Sequence, residues 1–380
     1  MRNKLRAYFQ GQVREVEQDR ALSLYGVALS LLLPLAYLFW RESFNYFRSD
    51  PVPYCWPGVD CFYHPLRALG PDGWFWYMLA GNAVSFFAAF SFWRNRIGAA
   101  LIALGLATLL KIIQQATSYT LMGNYHYMPY IITLGFLFIP GRRAYLPIQL
   151  VLFYVAAGFL KINPEWLSGY ALPGRIPYLA ERWFRFLLGY VIILEILFVW
   201  GLLSSEKKWR ALAFLQIAAF TAVSWYFVGS FYPITMSLLL SLFPLSWVIT
   251  APARSKLNLA AICALGIFVG AQAFPKAWGP DPALHTYRRL ISLNMFDANP
   301  ICDSAIYLRK KGEILELDGA NGMALRLQCD PILLVAKARA LCRELKSDPT
   351  FINLDVHMEA RRMSGHQFET VLREENFCGN

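Results

Sequence analysis

Long apolar stretches, most of them close to the roughly 20 residues that a helix needs to cross a bilayer, dominate this sequence. Charged residues, proline or glycine bound each stretch, and the fourth is the shortest. A bend predicted at Pro140-Gly141 separates the fourth stretch from the fifth. The pattern predicts an all-α polytopic membrane bundle of nine helices, near residues 21–40, 74–93, 97–117, 127–140, 144–161, 186–204, 210–230, 232–250 and 257–274.

Composition supports a lipid environment, because 57% of the 380 residues are hydrophobic and only 16% are charged. The net charge of +11 could indicate nucleic-acid binding, but the basic residues lie in short runs between the apolar stretches. Basic runs mark cytoplasmic loops, and here they occupy the N-terminus and every second loop. We therefore expect no nucleic-acid partner, a cytoplasmic N-terminus and an external C-terminus.

The sequence divides into a cytoplasmic amphipathic segment (1–20), a transmembrane domain (21–275) and an extracytoplasmic domain (276–380). In the last part, alternating apolar residues on both sides of the turn 310–312 predict a β-hairpin. Residues 330–346 predict an amphipathic helix with Pro331 in its first turn, and 351–358 predict a strand. The third domain is therefore expected to be a small α+β domain.

Six of the seven cysteines fall on the predicted external side, where disulfide bonds persist. A zinc site is the competing interpretation, but no CxxC or HxxxH spacing supports it, and we expect no metal. The four cysteines of the C-terminal domain allow three pairings, among which the sequence does not choose. The disulfide candidates are Cys55, Cys61, Cys302, Cys329, Cys342 and Cys378.

Ionisable residues inside apolar stretches are costly and are candidate functional residues. Lys161 ends the fifth stretch, where desolvation can make a neutral amine available as a base; the alternative is a lysine that anchors a helix end at the interface. Glu195 lies in the middle of the sixth stretch and needs a partner from another helix. Lys111 is the candidate partner, and a proton relay is the functional alternative.

His126 precedes the fourth stretch, at the same predicted membrane level as Lys161. It could donate a hydrogen bond to an oxyanion that develops near the lysine, or it could be an ordinary interfacial residue among tyrosines.

Together these residues resemble the membrane domain of the vitamin K-dependent gamma-carboxylase family, whose bacterial members are called horizontally transferred transmembrane domain proteins. In that family an Ala-Gly, two residues, the basic lysine, a polar stretch and Trp-x-x-Gly close one helix. Asn124-His126-Tyr127-Met128 fits a second family segment loosely, and Glu195 matches an acidic residue in the following span. The residues that match the first motif are Ala157-Gly158, Lys161, Asn163, Glu165, Trp166 and Gly169.

The resemblance implies a reaction in which an amine deprotonates a reduced quinone of the vitamin K or menaquinone type. The quinone then reacts with oxygen to form a base that removes a carbon-bound proton, and carbon dioxide adds. It implies Lys161, His126 and Glu195 as catalytic residues, and Lys111, Asn124 and Trp166 as candidate quinone-binding residues. The expected setting is the outer face of a bacterial inner membrane, with an exported peptide or another molecule as substrate.

The chain departs from the family at Ala219, where the family often carries a histidine, and it lacks the large external region of the animal enzyme. A non-enzymatic maturation or assembly factor for an exported peptide is the alternative function. A transporter would show paired midplane charges in related halves, and no such repeat is apparent in the sequence.

Overall fold

The structure, a computed structural model, describes residues 2–39, 56–57, 59, 70–116, 124–172, 179–229, 231–249, 256–277, 281–285, 287, 290–293, 300–319 and 328–379. Helices occupy most of this chain, and all of its strands lie near the C-terminus. Among the described residues up to Ala277 the α-helices are α1 (Arg2–Glu17), α2 (Arg20–Phe39), α3 (Gly70–Trp93), α4 (Ile97–Ala116), α5 (Asn124–Phe138), α6 (Arg142–Leu160), α7 (Pro164–Ser168), α8 (Glu181–Ile196), α9 (Lys207–Val228), α10 (Phe231–Leu240), α11 (Leu242–Val248) and α12 (Leu259–Ala277).

Seven helical segments of the described chain are long and apolar enough to cross a membrane. Shorter apolar helices at Arg20–Leu35 and His126–Phe138 coincide with the first and fourth predicted spans. Large apolar side chains cover outward surfaces, as at Ile267 and Leu215, which are 73% and 65% exposed. Such a surface is unfavourable in water and indicates a lipid bilayer. The seven segments are Phe75–Trp93, Ile97–Ala116, Arg142–Leu160, Glu181–Leu203, Lys207–Val228, Phe231–Val248 and Leu259–Ala277.

The predicted bend before α6 is confirmed, because Gly141 has a left-handed backbone with φ 75° and α6 begins at Arg142. Glu15, from α1, accepts hydrogen bonds from the backbone N–H groups of Gly141 and Arg142 at 3.2 and 2.7 Å. It also pairs with the fully buried Arg142 guanidinium at 2.9 Å. The N-terminal helix is thus tied to the turn between α5 and α6.

The C-terminal domain contains β1 (Pro300–Lys310), β2 (Glu313–Asp318), α13 (Pro331–Leu345), β3 (Phe351–Arg362) and β4 (Glu369–Glu374). The four strands form an antiparallel sheet with the order β2-β1-β3-β4. The predicted hairpin, helix and strand are all confirmed, although β3 is longer than predicted and β4 was not predicted. The apolar core lies between α13 and the sheet, where Leu334 and Ala338 join Ile306 and Val356.

The four cysteines of this domain form two disulfide bonds. Cys302 pairs with Cys329 and Cys342 pairs with Cys378, with Cα–Cα distances of 5.4 and 5.5 Å. The structure thereby selects one of the three pairings that the sequence allows, and these four cysteines are not zinc ligands. The other two candidates, Cys55 and Cys61, lie outside the described residues.

Candidate functional site

The candidate site is centred on an ion pair between two helices of the bundle. Lys161 follows the last residue of α6, and Glu195 lies one residue before the end of α8. Lys161 Nζ donates a hydrogen bond to Glu195 Oε2 at 2.5 Å, and each side chain is only 1% exposed. Lys161 is therefore held inside the bundle by a partner from another helix, whereas a lysine that anchors a helix end would extend to the surface of the protein.

Aromatic rings complete the surroundings of the Lys161 amine. Its Nζ lies 5.2 Å from the ring centroid of Trp166 and 5.9 Å from that of Phe220. Rings at these distances stabilise an ammonium through their negative faces. Trp166 is held in place because its Nε1 donates to the backbone oxygen of Leu188, in α8, at 3.0 Å. The amine is thus surrounded by one carboxylate, the backbone oxygen of Ala157 at 3.4 Å and two rings, in an almost fully buried site.

The turn after Lys161 explains why Trp166 lies there. Asn163 caps α7, because its Oδ1 accepts a hydrogen bond from the backbone N–H of Trp166 at 2.8 Å. Pro164 occupies the first position of α7, and Gly169 ends it with a left-handed backbone of φ 82°. The polar and glycine residues of the motif therefore form a short capped helix that directs the tryptophan toward the lysine.

Gly158 sets the distance between α6 and α8. A Cβ atom at this position would lie 2.7 Å from Ile196 Cγ1 and 3.1 Å from Glu195 Cβ. Both distances are shorter than ordinary contacts, so any larger residue would push the two helices apart. Glycine here allows Glu195 to come within hydrogen-bonding distance of Lys161.

The prediction from the sequence that Lys111 is the partner of Glu195 is wrong. Glu195 Oε2 is bonded to Lys161. Glu195 Oε1 is buried and has no hydrogen-bond partner in the described part of the chain. Two tyrosines, Tyr154 and Tyr232, lie within electrostatic range of this carboxylate. The site therefore contains one uncommitted acceptor atom, and hydroxyl-bearing rings lie nearby.

His126 is buried, at 3% exposure, but it is not among the contacts of Lys161 within the described residues. Its ring lies 5.7 Å from that of Phe231, and it is within electrostatic range of Lys111. His126 and Lys111 thus form a second polar group, apart from the ion pair. The oxyanion role of His126 stays a prediction, and the side chain of Asn124 lies outside the described residues.

A cluster that the sequence analysis missed ties the C-terminal domain to the turn after Lys161. Glu165, from α7, has a fully buried side chain whose Oε2 accepts from Arg362 Nη1 at 2.9 Å. Its Oε1 accepts from the hydroxyl of Ser364. Arg362 also pairs with Asp281, and its Nη2 donates to Asp281 Oδ1 at 2.9 Å. We call these four residues the interdomain cluster.

The charge on Glu165 is stabilised by this cluster. Burial raises the pKa of Glu165, but hydrogen bonds from Ser364, from its own backbone and from Arg362 outweigh burial and hold the pKa below its ordinary value. Arg362 has a raised pKa, since the carboxylates of Asp281 and Glu165 outweigh its partial burial. No sequence signal joins these residues, because Glu165 and Arg362 are 197 positions apart.

The sequence matches no protein-family model and no curated protein, and the structure matches no solved structure.

Proposed function

We propose that this protein is a membrane enzyme similar to the vitamin K-dependent gamma-carboxylases, with Lys161 as the base that starts the reaction. One observation carries the proposal: the amine is buried, paired with Glu195 and faced by the tryptophan of the capped turn. A lysine that only anchored a helix end would need neither a buried carboxylate nor this turn. The substrate is expected to be an exported peptide or another molecule on the external side.

The pair offers a way to supply a neutral amine. In a buried site, two neutral groups avoid the desolvation cost of an ion pair. With the shared proton on Glu195 Oε2, Lys161 Nζ is a free amine that can accept a proton from an acidic hydroxyl. The ammonium formed would then pair with the negative charge left on the oxygen of that hydroxyl. The rings of Trp166 and Phe220 would stabilise the ammonium.

A reduced quinone fits the groups that are present. The uncommitted Glu195 Oε1 can accept a hydrogen bond from a quinol hydroxyl, and Trp166 offers an aromatic surface next to Lys161. Apolar side chains near the site, including Phe159 and Ile162, are exposed on the outer surface, where a lipid-soluble molecule would approach. The quinone would supply the oxygen-driven chemistry that generates a base strong enough for a carbon-bound proton, and no metal is part of the proposal.

The proposed topology has nine spans in a bacterial inner membrane, with the N-terminus in the cytoplasm and the C-terminal domain outside. The alternating basic loops and the two disulfide bonds support it. Single cysteines introduced at exposed residues of α1 and of β4 test it in intact cells. A membrane-impermeant thiol reagent should label the β4 position only, and labelling at α1 only would contradict the topology.

The catalytic proposal is tested with membranes that contain the full chain, reduced menaquinone, oxygen and radiolabelled bicarbonate. Lys161→Met should reduce quinol-dependent incorporation of label by about a hundredfold or more, the size expected for loss of a general base. Lys276→Met is the matched control, because exposed Lys276 donates to the backbone oxygen of Phe159 at 3.0 Å and leaves the pair intact. Equal activity in the Lys161 variant and the control would rule out the proposal.

A non-enzymatic assembly factor is the second candidate, and the interdomain cluster favours it. This cluster fixes the disulfide-bonded domain on the membrane part, as a scaffold that grips a peptide would require. In that case Lys161→Met should leave function intact in cells, whereas loss of Cys302 or Cys378 should abolish it. The opposite pattern would support the enzyme.

A further inference from the structure

A second polar site lies inside the helix bundle, around Lys111. It is a cavity of about 30 Å³ between α2, α3, α4 and α5. This volume holds about two water molecules. Its polar lining consists of Ser30, Ser85, Thr108, Lys111, Tyr130 and Thr133, and its other described lining residues are apolar.

Lys111 is buried in this cavity without a carboxylate. Its side chain is 7% exposed, and no acidic residue of the described chain pairs with it. Its Nζ lies 5.4 Å from the ring centroid of Tyr130, which lines the same cavity. A buried ammonium with no opposite charge is costly, and an aromatic ring offsets only part of that cost. An anion in the cavity would supply the missing charge.

Among the hydroxyl groups around the cavity, that of Ser85 is available to donate to such a ligand. Ser85 Oγ is buried and has no hydrogen-bond partner among the described residues, so its proton is uncommitted. Ser30 and Thr108 instead donate to backbone oxygens of their own helices, at 2.7 Å each. The cavity therefore presents Lys111 Nζ and Ser85 Oγ as donors to a ligand, and none of its described lining residues is acidic.

We propose that this cavity binds a small monovalent anion, either a halide or the carboxylate group of a small organic acid, between Lys111 and Ser85. The volume admits one or two water-sized groups and is too small for a quinone ring, so Lys111 is not expected to hold the quinone. This site is independent of the proposed carboxylase chemistry at Lys161.

The test is thermal unfolding of the purified full chain in detergent at constant ionic strength. Sodium chloride or sodium acetate, compared with the bulkier sodium gluconate, should raise Tm by a few degrees in a saturable manner. A rise in Tm with chloride alone would identify a halide site, and a rise with acetate alone would identify a carboxylate site. Absence of a rise with either salt in the wild-type protein would overturn the proposal.

Variants assign the effect to the cavity. Lys111→Met should abolish the anion-dependent rise, while Lys276→Met, which alters an exposed lysine, should keep it. An equal rise in Lys111→Met would overturn the proposal. If Lys111→Met fails to fold, Ser85→Ala provides the second test, because it removes one donor and should raise the half-saturating anion concentration several-fold. An unchanged half-saturating concentration in Ser85→Ala would likewise overturn it.

Discussion

At the residue scale, the ion pair depends on the smallest residue of the motif. Lys161 and Glu195 meet because α6 and α8 approach closely at Gly158, where even one methyl group has too little room. Packed interiors tolerate added volume poorly, since neighbouring side chains and backbone must shift. The glycine of the motif is therefore explained by geometry, independently of any reaction.

Gly158→Ala should destabilise the protein by about 1–3 kcal/mol, because the new Cβ overlaps Ile196 Cγ1 and Glu195 Cβ. Gly189→Ala is the matched control in α8, because a Cβ there would meet no atom within 4 Å. It should be neutral or stabilising by up to about 1 kcal/mol, since alanine suits a helix better than glycine does. Thermal unfolding in detergent compares the two, and equal effects would show that α6 and α8 do not approach closely at Gly158.

At the element scale, α7 connects the two parts of the molecule. Its Trp166 faces Lys161, while its Glu165 is bound by Arg362 and Ser364 from the end of β3 and the turn that follows. The short helix therefore couples the position of the C-terminal domain to one wall of the candidate site. Movement of that domain would disturb the tryptophan before it disturbed the ion pair.

Glu165→Gln should weaken the contact between α7 and the C-terminal domain by about 2 kcal/mol, because it replaces hydrogen bonds to a charged group with hydrogen bonds to a neutral one. Since the pKa of Glu165 is lowered in the docked state, its contribution is complete above the ordinary value of 4.5 and is lost as the pH falls through the lowered pKa. The protection factors of the backbone amides of residues 163–169, which correct for the intrinsic slowing of hydrogen exchange in acid, should therefore fall in acid for the wild type and lose this pH dependence in the variant.

Glu181→Gln is the control for that experiment, because Glu181 is exposed at the start of α8 and pairs only with exposed Arg185 among the described salt bridges. In Glu181→Gln, the amides of residues 163–169 should show the same protection as in the wild type across the same pH range. Identical exchange in Glu165→Gln and Glu181→Gln would mean that the interdomain cluster does not hold the turn.

At the scale of the whole molecule, local sequence patterns predicted the secondary-structure elements. They did not predict the contacts between residues that are far apart in the sequence. The apolar stretches, the bend at Gly141 and the hairpin before Glu313 follow from length, composition and turn residues within a few positions. The partner of Glu195 depends on which helices pack together. Lys161 is 34 positions away, and nothing in the sequence made it a better partner than Lys111. The contact between Glu165 and Arg362, across 197 positions, left no local signal at all.

The central claim is that the pair of Lys161 and Glu195 serves chemistry and is not a structural bridge. Replacement of both partners by methionine tests it, because well-packed apolar residues can replace a buried ion pair with little loss of stability. The measurement is quinol-dependent incorporation of labelled bicarbonate by a double variant whose Tm matches that of the wild type. The account predicts loss of incorporation by about a hundredfold or more; incorporation at the wild-type rate would contradict it.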